Sequence, residues 1–276
     1  MIRLITSRLG AIGRRAGLTN ISFLQKAYII VTSLMLPNRE IQVDLDGQKM
    51  VVPNPRQSIL GRMIYLYGSW EPTVSQFLQS ELQPGMVVLD VGAHAGYYTL
   101  LMAKQVGQNG KVIAFEPNSV VRELLIKNIG LNKYDQVTVS PFALFSREGT
   151  TALETLDISN MRLSLHGAAT NTQPVVMRAF DHCRVELGIS QVNLIKIDVE
   201  GAELDVLQGM RELLDNCYPA LLIEVHFEGL TQFDHTSTEL LDFVRSFGYV
   251  IEPIWSQEGT DTIFCRRVQP QASTSQ

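Results

Sequence analysis

Apolar and polar positions follow two rhythms along this chain. Over 40–52, EIQVDLDGQKMVV, the period is two around Asp46-Gly47, a pair suited to a tight turn, so a hairpin is predicted there. The wider spacing of helices runs over 58–66 and 73–82, separated by GSWEP at 68–72, and Pro84-Gly85 ends this lead-in. Beyond it, short branched apolar runs predict strands at 87–91, 111–115, 136–143, 192–198, 220–227, 249–253 and 260–266. Helix-compatible segments fill the gaps at about 97–106, 119–130, 202–214 and 236–247. Apolar strands alternating with helices predict an α/β fold, a doubly wound and mostly parallel sheet with right-handed crossovers.

The interval 145–190 breaks that rhythm. It holds a short run at 150–156, a polar stretch at 157–172 with Asn160, Arg162, Ser164 and His166, and a second run at 173–180. An insertion at the carboxyl edge of a sheet forms a lid or substrate wall, or else a plain hairpin, and both readings stay open. The expected organisation is a basic segment at 1–36, a helix and hairpin lead-in at 37–84, the main domain at 85–268 and a disordered tail at 269–276.

Composition narrows the classes. With 276 residues, 45% hydrophobic and 18% charged, the chain can bury a full core as one globular domain plus an appendage. The net charge of −5 supplies no basic field for phosphate contacts, so no nucleic acid partner is expected, and a small-molecule or glycan hydroxyl acceptor fits better. Cys183, Cys217 and Cys265 show neither C-x-x-C spacing nor a disulfide framework and read as buried thiols of a reducing compartment. The longest apolar piece, 27–36, is about half the length that spans a bilayer, and no clean apolar core follows the early arginines as in a secretory signal. The basic start, with Arg3, Arg8, Arg14, Arg15 and Lys26 among Ile2, Ile5, Leu9 and Ile12, reads either as a peripheral contact to an anionic membrane or partner or as a helix packed on its own domain. A cytoplasmic location, with peripheral attachment at the inner membrane surface, is the matching expectation.

Candidate chemistry centres on VVLDVGAHAGYYT at 87–99, a branched strand ending in Asp90, a turn through Gly92 and Gly96, then a helix. Such a turn places helix N–H groups at the carboxyl end of a buried strand, where nucleoside ligands dock, and its glycines are expected to let the backbone approach the ligand. The next strand ends in Glu116, roughly 20 positions past the first glycine, as expected of a carboxylate holding ribose hydroxyls. His94 stands where a dinucleotide site needs its middle glycine, so the spacing suits a ligand lacking phosphates, such as S-adenosylmethionine. Glu71 reads equally as a helix cap or as a residue facing that cofactor.

Two later strands carry ionisable residues on one parity. In NLIKIDVEGAE, Lys196, Asp198 and Glu200 share a face if the strand runs to its end, and in LIEVHFE so do Glu224, His226 and Glu228. Adjacent strands would bring Asp198, Glu200, Glu224 and His226 together beside the cleft. His226 then reads as a general base, as a ligand with Asp198 and Glu224 to a divalent metal, or as a structural histidine; Lys196 with Asp198 also reads as a plain ion pair.

DVGAHAGYYT, VIAFEPN, SPFAL, IDVEGAELDVLQG and LLIEVH, in this order, resemble the FkbM-type family of S-adenosylmethionine-dependent methyltransferases. The resemblance implies a seven-stranded class I methyltransferase sheet, Rossmann-like, with its last strand antiparallel, and O-methylation of a hydroxyl on a sugar, glycan or natural-product scaffold. It would set Asp90, Gly92, Ala93 and Gly96 at the methionine end of the cofactor, Glu116 at the ribose and Ala143 near the adenine. His94 departs from the asparagine usual in the family. Two rival readings are an NAD(P)-dependent Rossmann oxidoreductase and a non-catalytic nucleoside-binding relative acting as an interaction protein.

Overall fold

The computed structural model describes residues 35–155, 161–164 and 172–267; the expectations for the basic start, the tail, Asn160 and His166 lie outside them. The predicted hairpin forms from β1 (Ile41–Leu45) and β2 (Gln48–Val52), with Asp46 and Gly47 both at positive φ. Two helices follow, α1 (Ile59–Tyr67), capped by the Ser58 side chain, and α2 (Pro72–Glu81). The hairpin is fastened by buried Asn128, whose amide exchanges two hydrogen bonds with the Val51 backbone, at 2.7 and 2.9 Å, and donates to the Ala95 carbonyl at 2.8 Å. One side chain thereby ties the lead-in to the glycine turn.

The central strands are β3 (Val87–Val91), β4 (Lys111–Phe115) and β5 (Val137–Ser140), with α3 (Tyr97–Val106) and α4 (Ser119–Asn132) between them. On the other side of β3 lie β10 (Leu194–Ile197), β11 (Ala220–His226), β12 (Tyr249–Gln257) and β13 (Thr260–Arg267). They make one seven-stranded sheet of order β12-β13-β11-β10-β3-β4-β5, in which β13 runs opposite to the other six. The sheet is the expected class I methyltransferase arrangement. Its strand order reverses between β3 and β10, and ligands dock at such a switch point.

Both faces of the central strands are dry. Leu89, Val91, Ile113, Phe115, Ile195 and Ile197 pack into one buried cluster, and Val88, Val112, Leu194 and Leu222 into another. Each such side chain contributes about 1.5–3 kcal/mol of burial, which makes the strand ends a rigid platform.

Local chemistry moves several boundaries. The run at 136–143 divides at Pro141: β5 stops at Ser140, and Ala143–Leu144 becomes β6 of another sheet. The helix expected over 202–214 divides into α6 (Glu203–Gln208) and α7 (Arg211–Cys217) around Gly209, where an added Cβ would lie 2.1 Å from the Phe145 carbonyl. The interval 145–190 is more than a hairpin. With β6 it builds a four-stranded sheet of order β6-β9-β7-β8, from β7 (Gly149–Thr155), β8 (Met161–Ser164) and β9 (Thr172–Arg178). A single turn of helix, α5 (Phe180–Cys183), leads back to the main sheet. After β11 a short helix α8 (Phe227–Gln232) begins at Phe227, the last residue of the strand expected over 220–227, and precedes α9 (Ser237–Ser246). No helix among the described residues is long and apolar enough to cross a membrane.

Candidate active site

A cavity of about 340 Å³ opens at the switch point, lined by the glycine turn, the ends of β4, β10 and β11, the α1–α2 lead-in and the inserted sheet. At its first end Asp90 is fully buried; its Oδ2 accepts from the Thr99 hydroxyl at 2.5 Å, while its Oδ1 has no partner. Burial raises the Asp90 pKa, against the pull of Lys196 and the Thr99 hydrogen bond.

The glycines of the turn serve the chain itself. A Cβ on Gly92, at φ +85°, would sit 1.8 Å from the Asp198 carbonyl, and one on Gly96, at φ +91°, 2.5 Å from Leu125. The missing Cβ atoms therefore permit close approach of β3 to the residue after β10 and of α3 to α4, while Gly92 also lines the cavity. The donors of the turn are also engaged: Gly92 and Ala93 N–H both donate to the Phe115 carbonyl at 3.0 Å, and Gly96 N–H to Ala93 at 2.9 Å. His94 N–H donates to Glu116 Oε2 at 2.7 Å. His94 sits at φ +49°, a region in which asparagine and histidine are both enriched, so the departure from asparagine keeps the backbone geometry.

Glu116 is the pivot of this end. Its Oε1 accepts from Asn118 N–H at 2.8 Å, so each carboxylate oxygen holds one backbone donor and keeps a second acceptor site. Burial pushes its pKa up to about 7 against those two hydrogen bonds. Ala143, Phe142 and Leu144 form the adjoining apolar wall.

At the second end, charge replaces backbone. Lys196 is 3% exposed, and its Nζ donates to Asp198 Oδ2 at 3.0 Å and stands 4.6 Å from the centre of the Tyr98 ring. Burial opposes the Lys196 charge, but Asp198, Asp90 and Glu224 overcome it and hold the pKa above its ordinary value. Burial likewise works against Asp198, and Lys196 and His226 outweigh it, so Asp198 stays ionised. Glu224 is pushed up to about 9 by burial and by the neighbouring Asp198 charge, so it carries its proton at neutral pH. His226 loses charge stability by burial but gains more from Glu203, Asp198 and Glu200, reaching about 10 and staying an imidazolium.

The parity expectation holds for Lys196 with Asp198 and for Glu224 with His226, and fails one step further on. β10 ends at Ile197, and Glu200 reaches the cleft from a turn, at φ +56°. Glu228 lies on α8, outside the cavity lining, because β11 stops at His226. Asp198, Glu200 and Glu224 surround His226 Nε2 at 3.9, 3.6 and 3.6 Å. Glu71 makes no side-chain cap; it lines the cavity at φ +40° and accepts from the Tyr98 hydroxyl at 2.7 Å.

Two residues of the network escaped the sequence reading. Tyr98 bridges Glu71 and Lys196, and Glu203, buried on α6, meets His226 Nδ1 at 2.9 Å. The tyrosine was hidden in an apolar helix face, and Glu203 looked like an ordinary acid in a first helical turn.

Comparison with known proteins follows the same residues. The chain is 28% identical over 228 residues to AMB antimetabolite synthetase AmbE of Pseudomonas aeruginosa, covering 68% of this chain and 11% of that protein. It is 27% identical over 154 residues to Methyltransferase 1 of Beauveria bassiana, covering 47% and 61%. It is 28% identical over 192 residues to hexuronic acid methyltransferase AglP of Haloferax volcanii, covering 66% and 76%. The chain thus spans about a tenth of AmbE and about three-fifths of the Beauveria protein. The family model for the methyltransferase FkbM domain matches residues 90–251, from Asp90 through Glu116 and both charged strand ends, and the chain belongs to that family.

Proposed function

We propose that this chain is an S-adenosylmethionine-dependent O-methyltransferase acting on a hydroxyl of a sugar, glycan or natural-product scaffold. The observation that carries the reading is the polarity of one cavity: spare acceptor sites on Glu116 at one end, and a buried cluster of carboxylates, lysine and imidazolium at the other. The relative described as a hexuronic acid methyltransferase supports a sugar-class acceptor.

The residues present suit the cofactor. Partnerless Asp90 Oδ1 calls for a donor, Glu116 can accept from two hydroxyls, and Phe142, Ala143 and Leu144 offer an apolar face. The turn's N–H groups at Gly92, Ala93, His94 and Gly96 are already engaged, which disfavours a pyrophosphate and with it the NAD(P) oxidoreductase reading. When bound, S-adenosylmethionine supplies an electrophilic methyl on a sulfonium.

Asp198 then holds the acceptor hydroxyl and takes its proton as the new C–O bond forms and the methyl's C–S bond breaks, the electron pair staying on sulfur and S-adenosylhomocysteine leaving. A depressed pKa does not disqualify it, because the hydroxyl becomes strongly acidic only as its oxygen gains the methyl. Holding both partners in line contributes about 7–11 kcal/mol, and proton removal about 10²–10⁴ in rate. His226, held as an imidazolium, acts as a donor to the acceptor oxygen in this scheme.

Asp198, Glu224 and His226 can place one ligand atom each within 4.8 Å of one another, a donor set that a divalent metal accepts. The ammonium of Lys196 already occupies the cationic place beside Asp198, so the arrangement does not fit a resident metal, and no step is routed through one. Titration calorimetry with S-adenosylmethionine, S-adenosylhomocysteine and NADH tests the cofactor: binding of the first two and no heat from NADH is expected. NADH binding alone overturns the proposal. Transfer of a labelled methyl to a panel of glycans and polyols, unchanged by a chelator, separates an enzyme from a non-catalytic relative.

A further inference from the structure

We propose that Glu203 is a positioning residue for methyl transfer: it grips His226 Nδ1 and so turns Nε2 into the cleft, toward the acceptor oxygen. The inference rests on the methyltransfer reading above and adds a residue to it.

The geometry begins with two glycines. A Cβ on Gly201 would meet the Gly229 carbonyl carbon at 2.3 Å, and one on Gly229 would meet the Glu200 carbonyl oxygen at 2.6 Å. Only glycine at both positions lets the turn after β10 lie directly on the start of α8. That contact brings the start of α6 beside the end of β11, and Glu203 within reach of His226.

Glu203 is 0% exposed. Its Oε1 accepts from Gly201 N–H at 2.9 Å and meets His226 Nδ1 at 2.9 Å, while its buried Oε2 has no partner. A carboxylate so placed is costly to bury, and packing alone would be served better by an apolar side chain. What it supplies is direction. An imidazole has two nitrogens, and the partner of one fixes which way the other faces.

The other nitrogen is poised. Nε2 stands 3.6 Å from Glu200 and from Glu224 and 3.9 Å from Asp198, each beyond hydrogen-bond length. Ringed by acceptors yet bonded to none of the three, it can donate to an incoming hydroxyl oxygen beside the Asp198 carboxylate that takes the proton. Without Glu203 the ring is free to rotate and satisfy those carboxylates instead.

Two variants and one spectrum test this. Glu203→Gln keeps an acceptor for Nδ1–H, and Glu203→Ala removes it. The expectation is a kcat loss of at least about tenfold for Glu203→Ala, with S-adenosylhomocysteine affinity unchanged, and substantial rescue by Glu203→Gln. Independently of turnover, nitrogen-15 NMR of the full chain, assigned with His226→Gln, should show a hydrogen-bonded Nδ1–H in wild type and Glu203→Gln. If Glu203→Ala does not fold, that spectrum decides alone. A mobile, unbonded Nδ1–H in wild type, or full turnover in Glu203→Ala, overturns the positioning role and leaves methyl transfer standing. Wild-type protein that binds no S-adenosylhomocysteine overturns the underlying reading, and this role with it.

Discussion

Glu116 and Asp198 stand at opposite ends of one cavity and are held by different means. Backbone donors two residues on and across the glycine turn fix Glu116, through short-range bonds that a strand–turn–helix makes as it forms. Asp198 is held by side chains from separate elements: Lys196 on β10 just before it, Glu224 and His226 on β11, with Glu203 and Tyr98 behind them. One end is a backbone device and the other an electrostatic one. The donors that orient Glu116 can be removed only by disturbing the fold, whereas those around Asp198 can be taken away one side chain at a time.

The sharpest attempt to break that contrast is Gly92→Val. A branched side chain at φ +85°, with its Cβ 1.8 Å from the Asp198 carbonyl, adds dihedral strain to overlap and should cost about 5 kcal/mol, read as a collapse of the denaturation midpoint. Because Gly92 touches Asp198, this single change damages both ends. Asp198→Ala should do the opposite, lowering kcat by about 10²–10⁴-fold while S-adenosylhomocysteine binding persists. Near-normal turnover would remove Asp198 from the mechanism.

Titration separates the ends by pH. Glu116 has its folded pKa raised from 4.5 to about 7, so its contribution to stability is intact below about 4.5 and is lost as the pH climbs to about 7. His226 is raised from 6.5 to about 10, so its contribution is intact below about 6.5 and is lost by about 10. The stability difference between wild type and Glu116→Gln should therefore slope only across the lower window, by on the order of 3 kcal/mol, and that for His226→Gln only across the upper. The mildest change, His94→Asn, keeps a residue tolerant of positive φ and leaves the backbone N–H on Glu116; stability within about 0.5 kcal/mol of wild type is expected.

The same contrast governs what was legible in the sequence. β3, α3 and β4 end at the predicted residues, because dry parallel strands and a glycine turn leave a local signature. The grouping of Asp198, Glu224 and His226 followed from parity and strand adjacency. Glu228 was misplaced because parity says nothing about where a strand stops. The packing role of Gly92 was not legible because the atom that excludes a Cβ there belongs to Asp198, 106 positions along the chain, and no local pattern reports it. Glu203 stayed invisible for the same reason: it opens α6, and its partner His226 lies at the end of β11.

The most direct test is a crystal structure of the chain with S-adenosylhomocysteine. Ribose hydroxyls on Glu116 and a sulfur turned toward Asp198 and His226 are the expected result. A nucleoside bound elsewhere, or bound here with its sulfur pointing away from those side chains, would contradict the assignment of the two ends.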